Sequence, residues 1–224
     1  DGYIFPTLLL REHIGAADKP YAVIHGTYAA EPQIGDGFGD GKIHVVYAGT
    51  FDPRKGGVSA AVASAAYLPE IYHVHIVGFG SAADVAAMKE QIAEVASKSK
   101  AAITYDGLLS GQEYIRFIQS CQIGLSTQNP DAAFNGTSFP SKILSYMANG
   151  LRVVSIRIPA IQQSEVGEYL YYYNTQTPEK IARAIRAVDV NDGYDSRAVI
   201  RQLHVRFQKA ITQLIGKGRE ESME

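Results

Sequence analysis

Short strand patterns alternate with helical patterns from residue 43 almost to the end of the chain. Runs rich in β-branched and aromatic residues are each followed by a segment of helical composition. This alternation is typical of a parallel sheet with helices on both faces. We therefore predict a doubly wound, Rossmann-like α/β fold with six strands in the order 3-2-1-4-5-6. The predicted strands are residues 43–48, 72–77, 102–105, 121–126, 152–156 and 169–173, and the predicted helices are residues 58–68, 82–97, 112–119, 140–149, 178–188 and 196–215.

Composition narrows the class of protein. Of the 224 residues, 46% are apolar and 20% are charged, and the formal net charge is -2. These values are ordinary for a globular domain, and they argue against a nucleic-acid partner, which would need a broad basic surface. The single cysteine, Cys121, excludes an internal disulfide and fits a reducing compartment. No apolar run approaches the roughly 20 residues that span a bilayer.

The first 42 residues do not follow the alternation. Residues 2–5 and 21–25 look like two short strands, and a glycine-rich segment at 35–41 separates them from the rest. Because the sequence begins with Asp1 rather than Met, we expect it to be a piece of a longer protein. On this interpretation residues 1–30 are the remnant of a preceding domain and the crossing from it. Residues 31–215 form the α/β domain, and residues 216–224 form a frayed tail.

The loop at residues 49–57, after the first predicted strand of the main domain, is a candidate phosphate site. It lacks both the G-x-G-x-x-G spacing and the P-loop motif, so classical NAD binding and P-loop hydrolysis are poorly supported. Arg54 and Lys55 nevertheless lead through two glycines into a helix. Glycine lets a backbone approach a ligand closely, and lysine adds a point charge. The alternative, a solvated basic turn, stays open for this loop taken alone.

The segment 135–150, after the fourth predicted strand, carries a stronger signal. Ser138, Ser141 and Lys142 surround the predicted start of a helix, where unpaired amides and the helix dipole favour an anion. An ordinary helix with an N-cap serine would explain one serine. It explains Lys142 poorly, because a cation is unfavourable in the first turn of a helix unless an anion lies there.

The two loops follow the first and fourth strands, which are neighbours in the predicted sheet. Ligands of doubly wound sheets bind at the carboxyl ends of the strands, where the winding direction changes. The sequence therefore predicts a nucleotide diphosphate between the two loops. Gly78, after the second strand, could present backbone to it, and residues 105–107, after the third, could line a base pocket, although Asp-Gly is also a common turn. His73 and His75 share a strand face without a carboxylate or cysteine nearby in sequence, which argues against a metal site.

These motifs resemble, in their order along the chain, the C-terminal, donor-binding half of GT-B glycosyltransferases of the family 4 ("group 1") type. The resemblance covers roughly residues 20 to 215. It rests on the residues at positions 48–51, 55–57, 76–80, 105–107, 138–142, 146–150 and 153–155.

The resemblance implies a nucleotide-diphosphate sugar, with UDP or GDP, bound without a metal ion or other cofactor. The sugar would be transferred, with retention at the anomeric carbon, to a saccharide or lipid-linked acceptor in cell-envelope polysaccharide synthesis. A missing N-terminal domain would bind that acceptor, so the chain alone should transfer no sugar. We expect a cytoplasmic location, at the inner face of the membrane if the missing domain binds lipid.

The resemblance also assigns the donor site residue by residue. Lys55 would clamp a phosphate, residues 138–142 would face the diphosphate and the sugar, and residues 105–108 would contact the base. The full predicted site comprises Gly49, Thr50, Arg54, Lys55, Gly78, Tyr105, Asp106, Gly107, Thr137, Ser138, Phe139, Ser141, Lys142 and Ser145. No catalytic residue and no metal ligand are assigned.

Three positions depart from the family pattern. Thr137 and Ser145 stand where many members carry two glutamates, and Thr50 stands in place of an arginine for which Arg54 could substitute. These departures leave open a non-catalytic nucleotide-sugar-binding module. Half of a GT-B nucleotide-sugar 2-epimerase is another alternative, although no convincing set of catalytic carboxylates and histidines supports it.

Overall fold

The computed structural model describes residues 2–16, 19–52, 54 and 57–220. The strands are β1 (Tyr3–Phe5), β2 (Tyr21–Val23), β3 (Ile43–Thr50), β4 (Tyr72–Phe79), β5 (Ala102–Gly107), β6 (Ile123–Ser126), β7 (Arg152–Ile156) and β8 (Tyr171–Tyr173). The α-helices are α1 (Leu8–Ile14), α2 (Gly57–Ser64), α3 (Ala82–Ala96), α4 (Gly111–Gln119), α5 (Lys142–Ala148), α6 (Pro159–Gln162), α7 (Pro178–Arg186) and α8 (Ser196–Glu220). Short 3-10 turns lie at Ala65–Tyr67, Ala133–Gly136 and Gly167–Tyr169.

Six of the strands form one parallel sheet in the order β5-β4-β3-β6-β7-β8. This is the predicted order 3-2-1-4-5-6, so the doubly wound fold is confirmed. The strands at the carboxyl edge are longer than predicted, because Gly49 pairs with Gly78 and Thr50 with Phe79 in the β3–β4 ladder. The sequence analysis assigned these glycines to loops, whereas a buried parallel ladder holds them in extended structure.

The core lies between the sheet and its helices. Val45 and Val46 of β3 and Leu125 of β6 are fully buried. Helix α2 consists of small residues and packs against α3 and α7, while α5 packs against α8. Because both faces of β3 and β6 are buried, these two strands form the centre of the domain.

The N-terminal residues form a small parallel unit, in which β1 pairs with β2. The connecting helix α1 was missed in the sequence analysis. Its start is capped by the Thr7 hydroxyl, which accepts from the Leu10 amide at 3.1 Å, and its end by Gly15 with φ 70°. A helix is needed here because two parallel strands cannot be joined by a tight turn. The unit is tied to the main domain, since Thr7 Oγ1 donates to the Thr137 carbonyl at 2.7 Å.

The C-terminal helix α8 is longer than predicted and continues to Glu220. It includes residues 216–220 of the predicted frayed tail, 216–224, in a segment that has no proline and whose charged residues are good helix formers. Residues 221–224 lie outside the described part of the chain. Among the described residues, no helix combines the length and the apolar character needed to cross a bilayer.

Candidate functional site

A cleft of about 930 Å³ opens at the carboxyl ends of β3 and β6, where the winding of the sheet changes direction. It is lined by residues of the segment between β2 and β3, of the end of β3 and of the segment leading into α5. Seven predicted donor-site residues line it, namely Gly49, Thr50, Ser138, Phe139, Ser141, Lys142 and Ser145. The two predicted loops thus meet at the predicted place.

Lys142, the first residue of α5, brings a positive charge to the floor of this cleft. Its Nζ lies 3.9 Å from the centroid of the Tyr47 ring. A Cβ built on Gly49 would lie 3.0 Å from the same nitrogen, so the ammonium group sits directly beside the backbone at the end of β3. The N-cap residue Ser141 is itself helical and makes no side-chain cap hydrogen bond. The N-cap explanation of this serine is therefore not supported, and Ser141 lines the cleft next to Lys142.

The close approach of β3 and β4 explains why glycine occupies position 78. Gly78 has φ 143°, and a Cβ at this position would lie 1.8 Å from the Gly49 carbonyl oxygen. Gly49, Thr50, Gly78, Leu108 and Tyr114 belong to the lining of a smaller cavity of about 230 Å³ that adjoins the cleft. This cavity is the candidate base pocket.

Tyr105 and Gly107 support this pocket without lining it. The Tyr105 hydroxyl donates to the Gly78 carbonyl at 3.1 Å, and its ring packs edge-on against Phe51 at 5.8 Å. Gly107, with φ 84°, lets the chain turn from β5 into the segment that carries Leu108. The base-contact prediction therefore applies to the backbone after Gly107 rather than to the side chains before it.

Three predicted residues are not brought into the cleft. The Arg54 side chain is 88% exposed and pairs with Asp52, with Nη2 and Oδ2 2.8 Å apart. Asp106 turns towards His75, whose Nδ1 lies 3.1 Å from Oδ2. Thr137 uses its carbonyl to hold Thr7. Lys55 lies outside the described residues.

Two tyrosines in the cleft were missed in the sequence analysis. Burial raises the pKa of Tyr47 to about 12, so its phenol stays neutral beside Lys142. Burial also raises the pKa of Tyr114, whose hydroxyl is hydrogen-bonded to Ser145. Tyr47 could have been found from the strand alternation, because it shares a face with Gly49. Tyr114 carries no such local signal, since only the fold brings α4 to this loop.

A third tyrosine, Tyr146, lies between β3 and β6 where the two strands separate at the cleft. Strands β3 and β6 pair only at Val45 and Val46 of β3 and then diverge. The Tyr146 hydroxyl enters the gap, accepts from the Ala48 amide at 2.7 Å and lies 3.4 Å from the Leu125 carbonyl. Gly124 leaves room for this ring, because a Cβ there would approach it to 2.4 Å. The phenol thus replaces the missing ladder hydrogen bonds at the switch point.

The charges of the cleft suit an anionic ligand with a neutral polar part. Among the described lining residues, Lys142 is the cation and Glu31, between β2 and β3, is the acid. Serine hydroxyls, tyrosine hydroxyls and the amides of Gln128 and Asn149 supply neutral hydrogen-bonding groups. Such a site binds and orients a charged substrate and stabilises charge that develops on a leaving group.

The histidines lie elsewhere. The sequence analysis found no carboxylate near His73 and His75, but the fold places Asp106 beside His75 and brings His44 next to both. None of these residues lines the cleft.

The family model described as "Glycosyl transferases group 1" matches residues 42–189, which is well over half of the chain. The chain therefore belongs to this family, and its sheet is the Rossmann-like domain of a GT-B fold. A comparison of the sequence with curated proteins found no match.

Several solved structures share the fold. A structure of HepE from Anabaena in complex with UDP and glucose is 16% identical, with a TM-score of 0.66, and the match covers 94% of this chain and 62% of HepE. The lipopolysaccharide outer core galactosyltransferase WaaB is 18% identical, with a TM-score of 0.66 and coverage of 97% and 62%. Sucrose-phosphate synthase from Thermosynechococcus elongatus is 17% identical, with a TM-score of 0.67 and coverage of 97% and 59%. The chain thus spans less than two thirds of the length of these proteins.

Proposed function

We propose that this chain is the donor-binding half of a glycosyltransferase that uses a UDP- or GDP-sugar. The observation that carries the proposal is the Lys142 ammonium group beside Gly49, on the floor of a large cleft at the switch point of a GT-B domain. The structure of HepE with UDP and glucose supports a nucleotide-sugar ligand for this fold.

The donor would lie across the switch point. Its diphosphate would contact Lys142 and the backbone at Gly49, and its base would enter the smaller cavity beside Gly78 and Leu108. The sugar would then face the side of the cleft formed by Glu31 and Asn149. This orientation places one cation where the nucleotide diphosphate leaves.

In this mechanism the domain acts through electrostatics. Charge builds up on the diphosphate as the bond to the anomeric carbon breaks, and the fixed Lys142 ammonium stabilises that charge more than it stabilises the bound donor. Because this task needs no Lewis acid, we propose metal-independent transfer, with retention. The acceptor, a saccharide or lipid-linked saccharide of cell-envelope polysaccharide synthesis, would be held by an N-terminal domain at the cytoplasmic face of the membrane. The 224-residue chain alone should therefore bind donor without transferring sugar.

A non-catalytic nucleotide-sugar-binding module is the second candidate. It is favoured by Ser145, which is hydrogen-bonded to Tyr114 where a ribose-binding glutamate was expected, and by the outward position of Arg54. Sugar transfer by a longer protein that contains this domain would exclude the module. Sugar transfer by this chain alone would contradict the proposed division between two domains.

Calorimetry with UDP, GDP and ADP tests the donor site. Substituting Lys142→Met keeps the length of the side chain and removes its charge. We expect UDP affinity to fall by about 10- to 100-fold, the worth of a hydrogen bond to a charged group. The matched control is Lys100→Met, an exposed lysine before β5 at the opposite edge of the sheet, which should bind UDP as the parent does. Equal affinity of the Lys142→Met variant and the parent would disprove the phosphate site, and a requirement for Mg²⁺ would disprove metal independence.

A further inference from the structure

Three histidines of the neighbouring strands β3 and β4 form a cluster. His44 is the second residue of β3, and His73 and His75 lie on β4. One ring nitrogen from each lies within 4.8 Å of the others. The His73 and His75 rings stack with centroids 3.9 Å apart, and Phe38 covers His44 and His75 at 4.0 and 5.0 Å. His44 and Gly49 are five positions apart along β3, which is roughly 16 Å, and none of the three histidines lines the cleft.

Each histidine has one nitrogen engaged by a group outside the cluster. His44 Nε2 lies 2.9 Å from Asp40 Oδ1, and His75 Nδ1 lies 3.1 Å from Asp106 Oδ2. His73 Nε2 lies 3.0 Å from the Thr104 hydroxyl. Carboxylates that hold the far nitrogen of a histidine fix its tautomer and raise its basicity, and this arrangement surrounds most histidine-ligated metals.

The two ring nitrogens that face each other, His44 Nδ1 and His75 Nε2, have no hydrogen to share. An ionised carboxylate only accepts, so His44 Nε2 and His75 Nδ1 must carry the hydrogens that face Asp40 and Asp106. A neutral imidazole has one N–H, so His44 Nδ1 and His75 Nε2 are left with lone pairs, and these two atoms lie 2.9 Å apart. Two lone pairs at this distance repel each other unless a cation lies between them.

A metal ion meets this requirement, because a neutral imidazole with an available lone pair is the form that ligates metals. Tetrahedral zinc at about 2.0–2.1 Å from each nitrogen needs a nitrogen separation of about 3.4 Å, so the two rings would move apart by only about 0.5 Å.

We propose that this cluster binds a first-row divalent metal ion of the zinc class. His44 Nδ1, His75 Nε2 and the remaining nitrogen of His73 are the ligands, and Asp40 and Asp106 are the outer carboxylates. The ion ties β3 to β4 outside the donor cleft and takes no part in sugar transfer. Its role is structural.

Zinc titration of the tag-free, metal-stripped chain tests the site. Calorimetry should give one equivalent of Zn²⁺ per chain, with no uptake of Mg²⁺, and bound Co²⁺ should show the visible spectrum of a tetrahedral nitrogen-ligated ion. We expect His73→Asn to weaken Zn²⁺ binding by more than about 100-fold, because loss of a ligand exceeds loss of an outer partner. His204→Asn, which removes an exposed histidine of α8, should bind as the parent does.

The variant Asp40→Asn keeps the test decisive if His73→Asn does not fold. The Asp40 side chain is 42% exposed, so its loss leaves the core intact. An outer carboxylate acting through His44 should cost about 10- to 100-fold in Zn²⁺ affinity. Absence of stoichiometric binding would overturn the proposal and assign a shared proton to the cluster. Equal affinities of the parent, His73→Asn and Asp40→Asn would overturn it as well.

Discussion

The two ends of β3 differ in how open their surroundings are, although one continuous strand forms both. At the carboxyl end the strand finishes in Gly49 and Thr50, which border a cleft of about 930 Å³. At the amino end His44 is 2% exposed, its Nε2 lies 2.9 Å from Asp40 Oδ1, and Phe38 covers it. Both ends pair with β4 in the same register.

The difference lies in what fills the space beside the ladder. At the carboxyl end small residues and a diverging neighbour strand leave room that the protein does not fill, so a ligand can reach the backbone. At the amino end aromatic rings fill that room, and the outer nitrogens of His44 and His75 are held by Asp40 and Asp106. An open edge and a closed edge can thus belong to one strand, provided that the backbone at the open edge finds partners elsewhere, as Ala48 does with Tyr146.

The most damaging way to break this comparison is to add a side chain at the carboxyl end. Gly78→Ala places a Cβ 1.8 Å from the Gly49 carbonyl in a backbone conformation that alanine avoids. We expect a loss of stability on the order of 3–5 kcal/mol, measured as the free energy of unfolding in urea. Gly136→Ala is the control, since a Cβ there meets nothing within 4 Å, and it should change stability by less than about 0.5 kcal/mol. A Gly78→Ala variant as stable as the control would show that the β3–β4 approach is not tight.

Removing one oxygen tests how the open edge is supported. Tyr146→Phe leaves the buried Ala48 amide without its partner, and we expect a loss of about 1–3 kcal/mol in the free energy of unfolding. The UDP affinity should also fall, because Ala48 and Gly49 border the cleft. Tyr3→Phe, at a tyrosine that is 46% exposed, should leave both quantities unchanged. If the Tyr146→Phe and Tyr3→Phe variants had the same free energy of unfolding and UDP affinity, water would be taking the place of the Tyr146 hydroxyl at the Ala48 amide.

The smallest effect concerns pH and the wall of the cleft. His25 packs on Phe139 at 4.9 Å and donates from Nδ1 to the Pro6 carbonyl at 2.8 Å. Burial lowers the pKa of His25, so the folded state keeps the ring neutral while the unfolded state takes up a proton below about pH 6.5. The contribution to stability is therefore present above that pH and is lost as the pH falls towards the folded pKa.

Comparing the parent with His25→Gln isolates this contribution. Between pH 7.5 and 5 the parent should lose up to about 2 kcal/mol more of its unfolding free energy than the variant does. Urea unfolding at the two pH values measures the difference. Parallel losses in the two proteins would assign the acid sensitivity to other histidines.

The order of the sheet and the position of the cleft followed from the sequence because both depend on local patterns. The alternation of strands and helices predicted the strand order of a doubly wound sheet. In that order β3 and β6 are neighbours, so the loops that follow them lie together. Lys142 could be placed at the cleft for a similar reason, since a cation in the first turn of a helix is a local signal. Helix α1 was missed because its short segment was too close to two strand patterns to stand out.

Residues that reach the site across the fold could not be predicted. Tyr114 comes from α4, and Glu31 comes from the segment between β2 and β3. No neighbouring residue in the sequence indicates that either one lines the cleft. Asp106 was assigned to the base pocket because it follows a strand end, yet His75 on the neighbouring strand attracts its carboxylate. The orientation of a side chain at a strand end depends on cross-strand partners, which only the register reveals.

The contact between the first and last segments has a mechanical consequence. A Cβ on Gly2 would lie 2.6 Å from Leu214 Cδ1, so the backbone before β1 runs directly against α8, and β2 packs on the same helix. Tension applied to the amino-terminal unit is therefore shared with α8 instead of passing through the crossing at residues 24–42 alone. We expect the amino-terminal unit and α8 to unfold together under force, and at a higher force than if one connecting segment carried the load.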